Sequence, residues 1–567
     1  MSLSDSEIFH FQREYDDRPV SKQTINEVLQ SRAEQVGDRT LVYYGPKDTE
    51  VSYGEMNRTA NSIANALAEM GVEKGDKISV MMEDHLQTIS AFFGIVRLGA
   101  VYSPINVEYK GDALSYQLDD TDPDLFLTDD QYAERLEAVS DELETNPHVV
   151  VRETEAGGES IESFETSSFE QLFEGDRETA PEVDLSWEDE AAIIYTSGTT
   201  GWPKGCVTSH RYWLSGICMV FGQILEEDDV IHNSLPMHHI AGVGFVLIAM
   251  VAGSGTSVWQ RFSPKEFWDR VNRYEATYTI LLSVMIPWLM NAPEQPDDNE
   301  NTLKMSIMQP VPDNWQEIAD RFGIEVVPMM YSQSEAAVPL SGFVHADGGK
   351  PEEYLKGVHP DDILEKVDEL NMPMLDEIPG DRFMGRPINS MAEGKIVDST
   401  TGEELPPGEV GELVLRPKQD HVFMKEYYGK PKKTEQTFRN GELHTGDAAY
   451  RDEEGNYYFV DRLNDVIRRR GENISSLQVQ DAVNSHEAIE QAAVFPVEAP
   501  EGGEDRVGCA VQVGEDSTLD EESLRSYLHE RLPEFMIPDR IDFYDVLPTT
   551  ETGKVEKYKL KDEFEDA

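Results

Sequence analysis

Residues 191–205 read AAIIYTSGTTGWPKG, an apolar run followed by a loop rich in glycine and hydroxyl side chains. The apolar run, 191–195, predicts a buried β-strand. The glycines let backbone N–H groups approach a phosphate closely, and the hydroxyls and Lys204 add further donors. The spacing is not that of a Walker A loop. The segment 195–211 carries Lys204 and Arg211 and no acidic residue. In so acidic a chain, this favours a phosphate-binding loop over a flexible surface turn.

The surrounding chain is strongly acidic. Its 567 residues include 110 Asp and Glu against 48 Lys and Arg, a formal net charge of −62. This charge argues against sequence-independent binding to nucleic acid or to anionic membranes, which require clustered cations. With 39% hydrophobic residues the chain is not expected to be disordered. The acidic excess is diffuse, which favours a halophilic surface, screened at about 1 M salt, over a binding site for one cationic partner.

The sequence predicts a cytoplasmic protein. Residues 1–17 have neither a basic nor an apolar region, so no signal peptide is expected. The most apolar stretches, 243–252 and 280–290, are shorter than the roughly 20 residues that span a bilayer. The cysteines form no C-x-x-C pair, which favours a reducing compartment without a disulfide or zinc framework. They are Cys206, Cys218 and Cys509.

Helix and strand patterns alternate in the first third of the chain. Residues 51–72 place apolar side chains at helical spacing, with Gly71 placed to end the predicted helix. A buried strand is expected at 78–82 and a second helix at 86–98. This alternation is typical of a doubly wound α/β sheet. The polar residues 139–189 are expected to form an exposed acidic connection with little core of its own.

The remaining chain predicts a β-rich subdomain and a small α+β unit. Strands are expected within 408–417 and 455–462, after a polar stretch at 341–381. The last hundred residues predict strands and an amphipathic helix, at 492–497, 509–513 and 520–532. We therefore expect a large N-terminal domain, 1–463, and a small C-terminal domain, 464–567.

The glycine-rich loop resembles the loop motif of the adenylate-forming ANL superfamily, which includes acyl-CoA synthetases, peptide-synthetase adenylation domains and beetle luciferases. Further motifs of that family follow in the expected order over nearly the whole chain. The likeness is clearest to the crotonobetaine/carnitine–CoA ligase type of acyl-CoA synthetase, from residue 441 onward. The resemblance implies a mobile C-terminal domain and an ATP-binding loop formed by Thr196, Ser197, Gly198, Thr199, Thr200, Gly201 and Lys204.

Two adjacent histidines lie in the segment PMHHIAG, residues 236–242, which is similar to the family's P-x-aromatic-His-x-x-G motif. The resemblance implies that His238 lies at the mouth of the acyl pocket and that His239 lies beside the adenylate as a catalytic group. Neighbouring side chains on one strand point to opposite faces, so these histidines are expected to be poor co-ligands for one metal. A structural, hydrogen-bonded role is the alternative for either histidine.

The segment YSQSE, residues 331–335, resembles the family's Y-G-x-T-E motif. The resemblance implies that Tyr331 packs on adenine, that Ser334 contacts the α-phosphate and that Glu335 holds Mg²⁺. A carboxylate with phosphate oxygens and water is a suitable ligand set for Mg²⁺. Without the resemblance, YSQSE would pass as a polar turn. The following residues, 336–384, exceed the usual family spacing and are interpreted as an insertion.

The segment LHTGD, residues 443–447, is similar to the family's x-x-T-G-D motif. The resemblance implies that Asp447 accepts hydrogen bonds from both ribose hydroxyls, for which a carboxylate has the two oxygens required. It also implies that Arg462 reaches the ribose. Asn464 falls at the hinge position, where relatives more often have Asp or Lys.

Two further segments belong to the small domain. Residues 462–470 contain four arginines against Asp465, a net charge of +3 that suits CoA or nucleotide phosphates, although a solvated basic patch is the alternative. In relatives the loop that contains Gly471 swings toward the active site for the thioester step. The segment LPTTETGK resembles the family's L-P-x-T-x-x-G-K motif, which makes Lys554 the expected catalytic lysine.

These motifs predict an ATP-dependent, AMP-forming acyl-CoA synthetase that uses Mg²⁺, CoA and a small carboxylic acid, with no nucleic-acid partner and no membrane span. Two alternatives stay open: transfer of the acyl group to a separate carrier protein, and a non-catalytic nucleotide-binding relative. The second requires a broken site, yet Glu335, Asp447, Arg462 and Lys554 are all present. The sequence does not distinguish a monomer from a homodimer, nor betaine, fatty and aryl acids from one another.

Overall fold

The structure is a computed structural model. It describes residues 20–196, 202–218, 220–282, 284–309, 311–312, 314–346, 360–369, 372–375, 377–378, 380, 382–469, 472–498, 505–514, 517, 519–549 and 555–565. The chain divides into two compact units. Unit 1 comprises Met1–Thr196, Pro203–Glu393 and Arg416–Leu443, and unit 2 comprises Ser197–Trp202, Gly394–Leu415 and His444–Ala567.

Helices and strands alternate through most of the described chain. The helices are α1 Ile25–Val36, α2 Tyr53–Glu69, α3 His85–Leu98, α4 Asp112–Thr121, α5 Ala133–Glu137, α6 Phe221–Ile224, α7 Ile240–Ala252, α8 Phe267–Arg273, α9 Met285–Met290, α10 Trp315–Phe322, α11 Pro360–Glu369, α12 Pro431–Thr437, α13 Ser476–Asn484, α14 Glu521–His529 and α15 Lys557–Glu565. The strands are β1 Thr40–Tyr44, β2 Thr49–Ser52, β3 Lys77–Met81, β4 Val101–Pro104, β5 Leu125–Asp129, β6 His148–Arg152, β7 Thr166–Ser168, β8 Glu190–Thr196, β9 Lys204–Ser209, β10 Val230–Asn233, β11 Gly255–Val258, β12 Tyr278–Leu282, β13 Met305–Gln309, β14 Val326–Gln333, β15 Ala337–His345, β16 Met374–Leu375, β17 Phe383–Pro387, β18 Ala392–Val397, β19 Gly411–Pro417, β20 Glu426–Tyr427, β21 Phe438–Arg439, β22 Glu442–Arg451, β23 Tyr457–Arg462, β24 Ile467–Arg469, β25 Glu472–Ile474, β26 Ile489–Glu498, β27 Asp505–Val513 and β28 Arg540–Tyr544.

The first sheet of unit 1 has the strand order β20-β9-β8-β4-β3-β5-β6-β7. The strands from β8 to β7 are parallel, whereas β9 pairs antiparallel with both β8 and β20. The predicted strands at 78–82 and 191–195 are confirmed as β3 and β8, and the predicted helices as α2 and α3. Gly71 ends the α2 region with φ +91°, a backbone conformation that favours glycine.

The expectation for residues 139–189 is wrong in part. This segment contributes β6 and β7 to the edge of the first sheet, and Val149 and Val150 are fully buried. The short apolar run around them is enough to add a strand. The rest of the segment is rich in Glu, Ser and Gly, so the average composition of 139–189 does not reveal this apolar run.

The second sheet of unit 1 contains the strand order β17-β15-β14-β13-β12-β10-β11-β1-β2. Strands β10 to β14 are parallel, and β15 runs antiparallel to β14. The apolar helix α7 is buried almost along its whole length. The described part of the expected insertion 336–384 forms β15, α11, β16 and the start of β17. The turn from β14 into β15 contains Ser334 and Glu335.

Unit 2 contains the strand order β18-β19-β22-β23, the hairpin β24–β25 and the three-stranded sheet β26-β27-β28. Its core is built from buried side chains of β26, β27, α13 and α14. The predicted strands at 492–497 and 509–513 are confirmed within β26 and β27, and Asp520 caps α14 by accepting from Ser523 N. The α/β fold class is confirmed, while the boundary at 463/464 stays a prediction. Within the described ranges, no helix combines the length and apolar character needed to cross a membrane.

Candidate active site

The predicted phosphate loop joins β8 to β9 in unit 1. Thr196 and Lys204 are paired across this hairpin, and Thr196 Oγ1 donates to the Lys204 carbonyl at 3.5 Å. The two strands therefore fix where the loop leaves and re-enters the sheet. Several predicted site residues lie outside the described residues: Ser197, Gly198, Thr199, Thr200, Gly201, Gly471 and Lys554.

Helix α4 anchors both sides of the loop's base. The Tyr195 hydroxyl donates to Asp120 Oδ2 at 2.9 Å, and the Tyr116 hydroxyl donates to the Pro203 carbonyl at 2.8 Å. Lys430 forms an ion pair with Asp120. Burial raises the pKa of the Tyr195 phenol, so it remains a donor at neutral pH. Tyr116, Asp120 and Lys430 belong to no motif that the sequence analysis identified.

The YSQSE segment lies at the carboxyl end of β14. Tyr331 is buried and pairs with Leu340 of β15. Ser334 and Glu335 follow in the turn, where the Ser334 carbonyl accepts a hydrogen bond from the Tyr212 hydroxyl at 2.9 Å. The segment is thus part of a strand and its turn, held by backbone contacts.

One tyrosine links Glu335 to Lys204. The Tyr427 hydroxyl donates to Glu335 Oε1 at 2.5 Å, and Lys204 Nζ lies 4.6 Å from the centroid of the Tyr427 ring. Burial, reinforced by the Glu335 charge, raises the pKa of Tyr427, which keeps the phenol protonated. The structure therefore brings together two sequence-predicted residues of opposite charge, through a residue that the sequence analysis missed.

The surroundings of Glu335 fit a divalent cation bound to a nucleotide. Its side chain is partly exposed, and Oε2 accepts no hydrogen bond from the described residues. Among the described residues no three or more His, Cys, Asp or Glu side chains gather as a metal cage. A single carboxylate that shares the cation with phosphate oxygens and water is the arrangement that Mg²⁺ accepts.

The two adjacent histidines do not lie on a strand, so the expectation that they point to opposite faces is wrong. His238 and His239 occupy the turn before α7, and their ring centroids are 4.4 Å apart. Desolvation lowers the pKa of His238 well below its usual value, with smaller contributions from His239 and His85. His85, at the start of α3, was missed by the sequence analysis; burial lowers its pKa to about 4. His238 and His85 are therefore neutral near pH 7.

The predicted ribose residues of unit 2 form a pair. Asp447 of β22 lies opposite Arg462 of β23, and Arg462 Nη1 is 2.8 Å from Asp447 Oδ1. The Asp447 side chain is 1% exposed, whereas that of Arg462 is 50% exposed. Thr445 Oγ1 donates to the Leu413 carbonyl at 2.7 Å and accepts from Asp447 N at 3.1 Å. The threonine of the T-G-D motif thus fixes the backbone that carries the aspartate.

Glu412 of β19 supports the same part of β22. Its Oε2 lies 2.8 Å from His444 Nδ1, and its Oε1 accepts from Gly446 N at 3.3 Å. Gly446 has φ +72°, which explains the glycine at this place in the motif. Glu412 is distant in sequence from residues 443–447, so no local pattern identified it.

The hinge residue and Arg469 of the predicted basic island form hydrogen bonds and ion pairs within the protein. The Asn464 carbonyl accepts from Lys561 Nζ at 3.3 Å, and Lys561 also pairs with Asp465 at 2.9 Å. Arg469 donates to two backbone carbonyls and pairs with Asp539 at 2.7 Å. Arg462 and Arg469 are therefore held by protein groups, and binding of CoA or nucleotide phosphates by the basic island stays a prediction.

Doubly wound sheets with a glycine-rich loop, followed by a small α+β unit, give the fold of the adenylate-forming enzymes. The chain matches the family described as AMP-binding enzyme over residues 29–428, and the AMP-binding enzyme C-terminal domain over residues 478–554. The chain belongs to this family.

Characterised relatives and solved structures agree with this assignment. The chain is 27% identical to crotonobetaine/carnitine–CoA ligase of Citrobacter koseri, over 96% of this chain and 99% of the relative. It has the fold of ATP-bound MatB from Rhodopseudomonas palustris, with TM-score 0.78 and 22% identity over 96% and 99% of the two chains. It also resembles O-succinylbenzoate coenzyme A synthetase (MenE) of Bacillus subtilis in complex with AMP, with TM-score 0.74 and 23% identity over 95% and 98%.

Proposed function

We propose that this chain is an AMP-forming acyl-CoA synthetase. A carboxylate substrate attacks the α-phosphate of ATP, pyrophosphate leaves, and the acyl-AMP anhydride then reacts with the thiol of CoA to give the thioester and AMP. The observation that carries the proposal is the Glu335–Tyr427–Lys204 arrangement beside the strand that follows the phosphate loop. It supplies an anion for a metal-bound nucleotide and a cation for its phosphates, next to each other.

The chain's own residues divide the work. The loop from Thr196 to Lys204 holds the phosphates, and Asp447 accepts hydrogen bonds from the ribose while Arg462 compensates its charge. Tyr331 packs on the adenine, and Ser334 contacts the α-phosphate. Mg²⁺ bound between Glu335 and the phosphate oxygens would neutralise charge on the transferring group.

The acyl side of the site is assigned to His238 and His239. The neutral imidazole of His238 suits the mouth of an acyl pocket, and the ring of His239 lies beside it, where it would contact the adenylate. CoA is the proposed acceptor because the relatives named above are CoA ligases. A second reading, delivery to a separate carrier protein, is an outcome of the same assay.

The test is pyrophosphate release with a panel of acids, with and without CoA. The panel contains crotonobetaine, carnitine, short-, medium- and branched-chain fatty acids, and aryl acids. We expect acid-dependent pyrophosphate release and, on adding CoA, formation of AMP and a thioester with at least one acid. Pyrophosphate release that CoA leaves unchanged would favour a carrier protein. No release with any acid would favour the non-catalytic relative.

Lys554 is proposed as the catalytic lysine of the adenylation step alone. Rotation of the C-terminal domain about Asn464 is proposed to move the loop at Gly471 toward the site for thioester formation. Lys554→Ala is expected to lower the adenylation rate about 10³-fold, because a cation at the transferring phosphate is lost. Thioester formation from supplied acyl-AMP is expected to stay near the wild-type rate. Equal loss of both half-reactions, measured in single-turnover experiments, would contradict this role.

The acidic surface is proposed to be a halophilic adaptation of a cytoplasmic enzyme. With a net charge of −62, self-repulsion should destabilise the fold in dilute buffer. We expect the melting temperature to rise steeply with KCl up to about 1 M, where the Debye length is about 3 Å. A melting temperature that is independent of KCl would contradict the proposal.

A further inference from the structure

The short segment around β20 holds Glu335 at two points. Met424 N donates to the Glu335 carbonyl at 2.9 Å, and the Tyr427 hydroxyl donates to the Glu335 carboxylate at 2.5 Å. The first contact fixes the backbone of the turn, and the second fixes the side chain. A glutamate in a turn would otherwise sample several rotamers.

Tyr427 is itself fixed on every side. It pairs with Cys206 across the β20–β9 ladder, and its backbone N–H donates to Thr434 Oγ1 at 2.9 Å. Its ring is 3% exposed and packs against Cys206 and Met424. Lys204 lies over the ring. These contacts fix the ring so that its hydroxyl donates to Glu335, with the Thr437 side chain as a second polar neighbour.

The chemistry of the contact favours cation binding. A phenol is a neutral donor, so it orients Oε1 without cancelling the negative charge of the carboxylate. An arginine or lysine in the same place would orient the carboxylate and also compete with a divalent cation for its charge. Oε2 accepts nothing from the described residues and stays available.

We propose that Tyr427 is a positioning residue for the metal-binding carboxylate: its hydroxyl holds Glu335 Oε1 so that Oε2 faces a divalent cation carried by the nucleotide phosphates. This inference rests on the proposed function only for the role of Glu335. Tyr427 touches neither nucleotide nor acid in this role, and it acts through the geometry of its neighbour.

The experiment measures nucleotide binding without chemistry. The full chain is melted with ATP and no acid, either in EDTA or with increasing MgCl₂. For Tyr427→Phe we expect the shift with ATP in EDTA to match the wild type, while the MgCl₂ concentration that gives the half-maximal further shift rises about tenfold. Tyr102→Phe is the matched control, because its hydroxyl is fully buried and has no hydrogen-bond partner among the described residues. It is expected to titrate like the wild type.

Two additions separate positioning from packing. Installing 4-aminophenylalanine at position 427 restores an N–H donor and is expected to recover the Mg²⁺ response, whereas 4-fluorophenylalanine fills the same space without donating and is not. This pair also replaces Tyr427→Phe if that variant fails to fold. In a double-mutant cycle with Glu335→Gln, the two substitutions are expected to be non-additive, since one acts through the other.

The proposal is overturned if Tyr427→Phe or the 4-fluorophenylalanine variant responds to Mg²⁺ like the wild type. It is also overturned if the melting shift with ATP falls by the same amount in EDTA as in MgCl₂, or if the two substitutions of the double-mutant cycle are additive. These outcomes differ from failure of the proposed function. In that case the wild-type protein would release no pyrophosphate from ATP with any acid of the panel. The Mg²⁺ titration needs no turnover and remains informative in that case.

Discussion

Each unit of this protein contains one carboxylate that is proposed to bind nucleotide groups, and the two carboxylates are held in different ways. In unit 2, Asp447 is 1% exposed and lies 2.8 Å from the guanidinium of Arg462. In unit 1, Glu335 is partly exposed, and its contact is the neutral hydroxyl of Tyr427. Asp447 forms an ion pair, whereas Glu335 forms none with the described residues.

The difference matches what each carboxylate is proposed to bind. Ribose hydroxyls are neutral donors, so Asp447 needs accepting oxygens and no net charge, and a buried carboxylate is tolerated only when it is paired. A divalent cation requires the full charge of Glu335, and a neutral donor can position that group without weakening it. The partner of each carboxylate is thus consistent with the group that the carboxylate is proposed to bind.

The largest effect is expected from removing the uncompensated charge. Glu335→Gln should lower the adenylation rate by about 10²- to 10³-fold, because electrostatic stabilisation at the transferring phosphate is lost. Acid-dependent exchange of pyrophosphate into ATP, measured against MgCl₂, checks this. Glu426→Gln removes an exposed carboxylate two residues from Met424 and should behave like the wild type. If excess MgCl₂ restores the exchange rate of Glu335→Gln to that of the wild type, Glu335 contributes only to the affinity for the cation.

A smaller effect is expected from the compensated carboxylate. Asp447→Asn should raise the KM for ATP by about 10-fold, because an amide replaces one of two accepting oxygens with a donor. The MgCl₂ dependence should be unchanged. The decisive measurement compares ATP with 2′-deoxy-ATP: the wild type should prefer ATP, and Asp447→Asn should lose most of that preference. An unchanged preference would remove Asp447 from the ribose site.

The parts of the site that follow from sequence are those with local patterns. The loop after β8 and the T-G-D motif at 443–447 each combine glycines with polar side chains at fixed spacing, so both motifs could be identified from the sequence alone. The α/β alternation of the first third was predictable for the same reason, since helical and strand periodicities are local.

The supporting residues were not predictable because tertiary contacts select them. Tyr427 lies in MKEYYGKP, a run with no distinctive charge or spacing, and it reaches Glu335 only because β20 pairs with β9. Glu412 and Asp120 are single acids in an acidic chain. The partners of Arg469 were not predictable for the same reason: the sequence shows a local cluster of arginines, and only the fold brings its guanidinium to two carbonyls and to Asp539.

The smallest effect is expected from the buried histidines of unit 1. It is an effect on the pH dependence of stability and leaves the activity unchanged. Burial lowers the pKa of His85 and His210 to about 4 and that of His232 to about 3. The folded chain keeps these groups neutral while the unfolded chain protonates them below pH about 6.5, so their stability contribution is complete above that pH and is lost as the pH falls toward 4. His210 Nδ1 accepts from Ile25 N at 3.3 Å, and His210→Asn keeps an acceptor there without a titrating group.

Hydrogen exchange of peptides from α1, corrected for the intrinsic pH dependence of exchange, measures the effect. Between pH 7 and pH 5 the wild type should lose about 2 kcal/mol more protection in these peptides than His210→Asn does, since a fully buried histidine contributes about 1.4 kcal/mol per pH unit in this range. His529→Asn, at a half-exposed site in unit 2, should leave the α1 profile unchanged. Activity at pH 8 should be the same in all three proteins, because His210 is neutral there with or without folding. If His210→Asn loses as much hydrogen-exchange protection between pH 7 and pH 5 as the wild type, the acid sensitivity of unit 1 does not come from this histidine. The buried carboxylates of the same unit would then be substituted next.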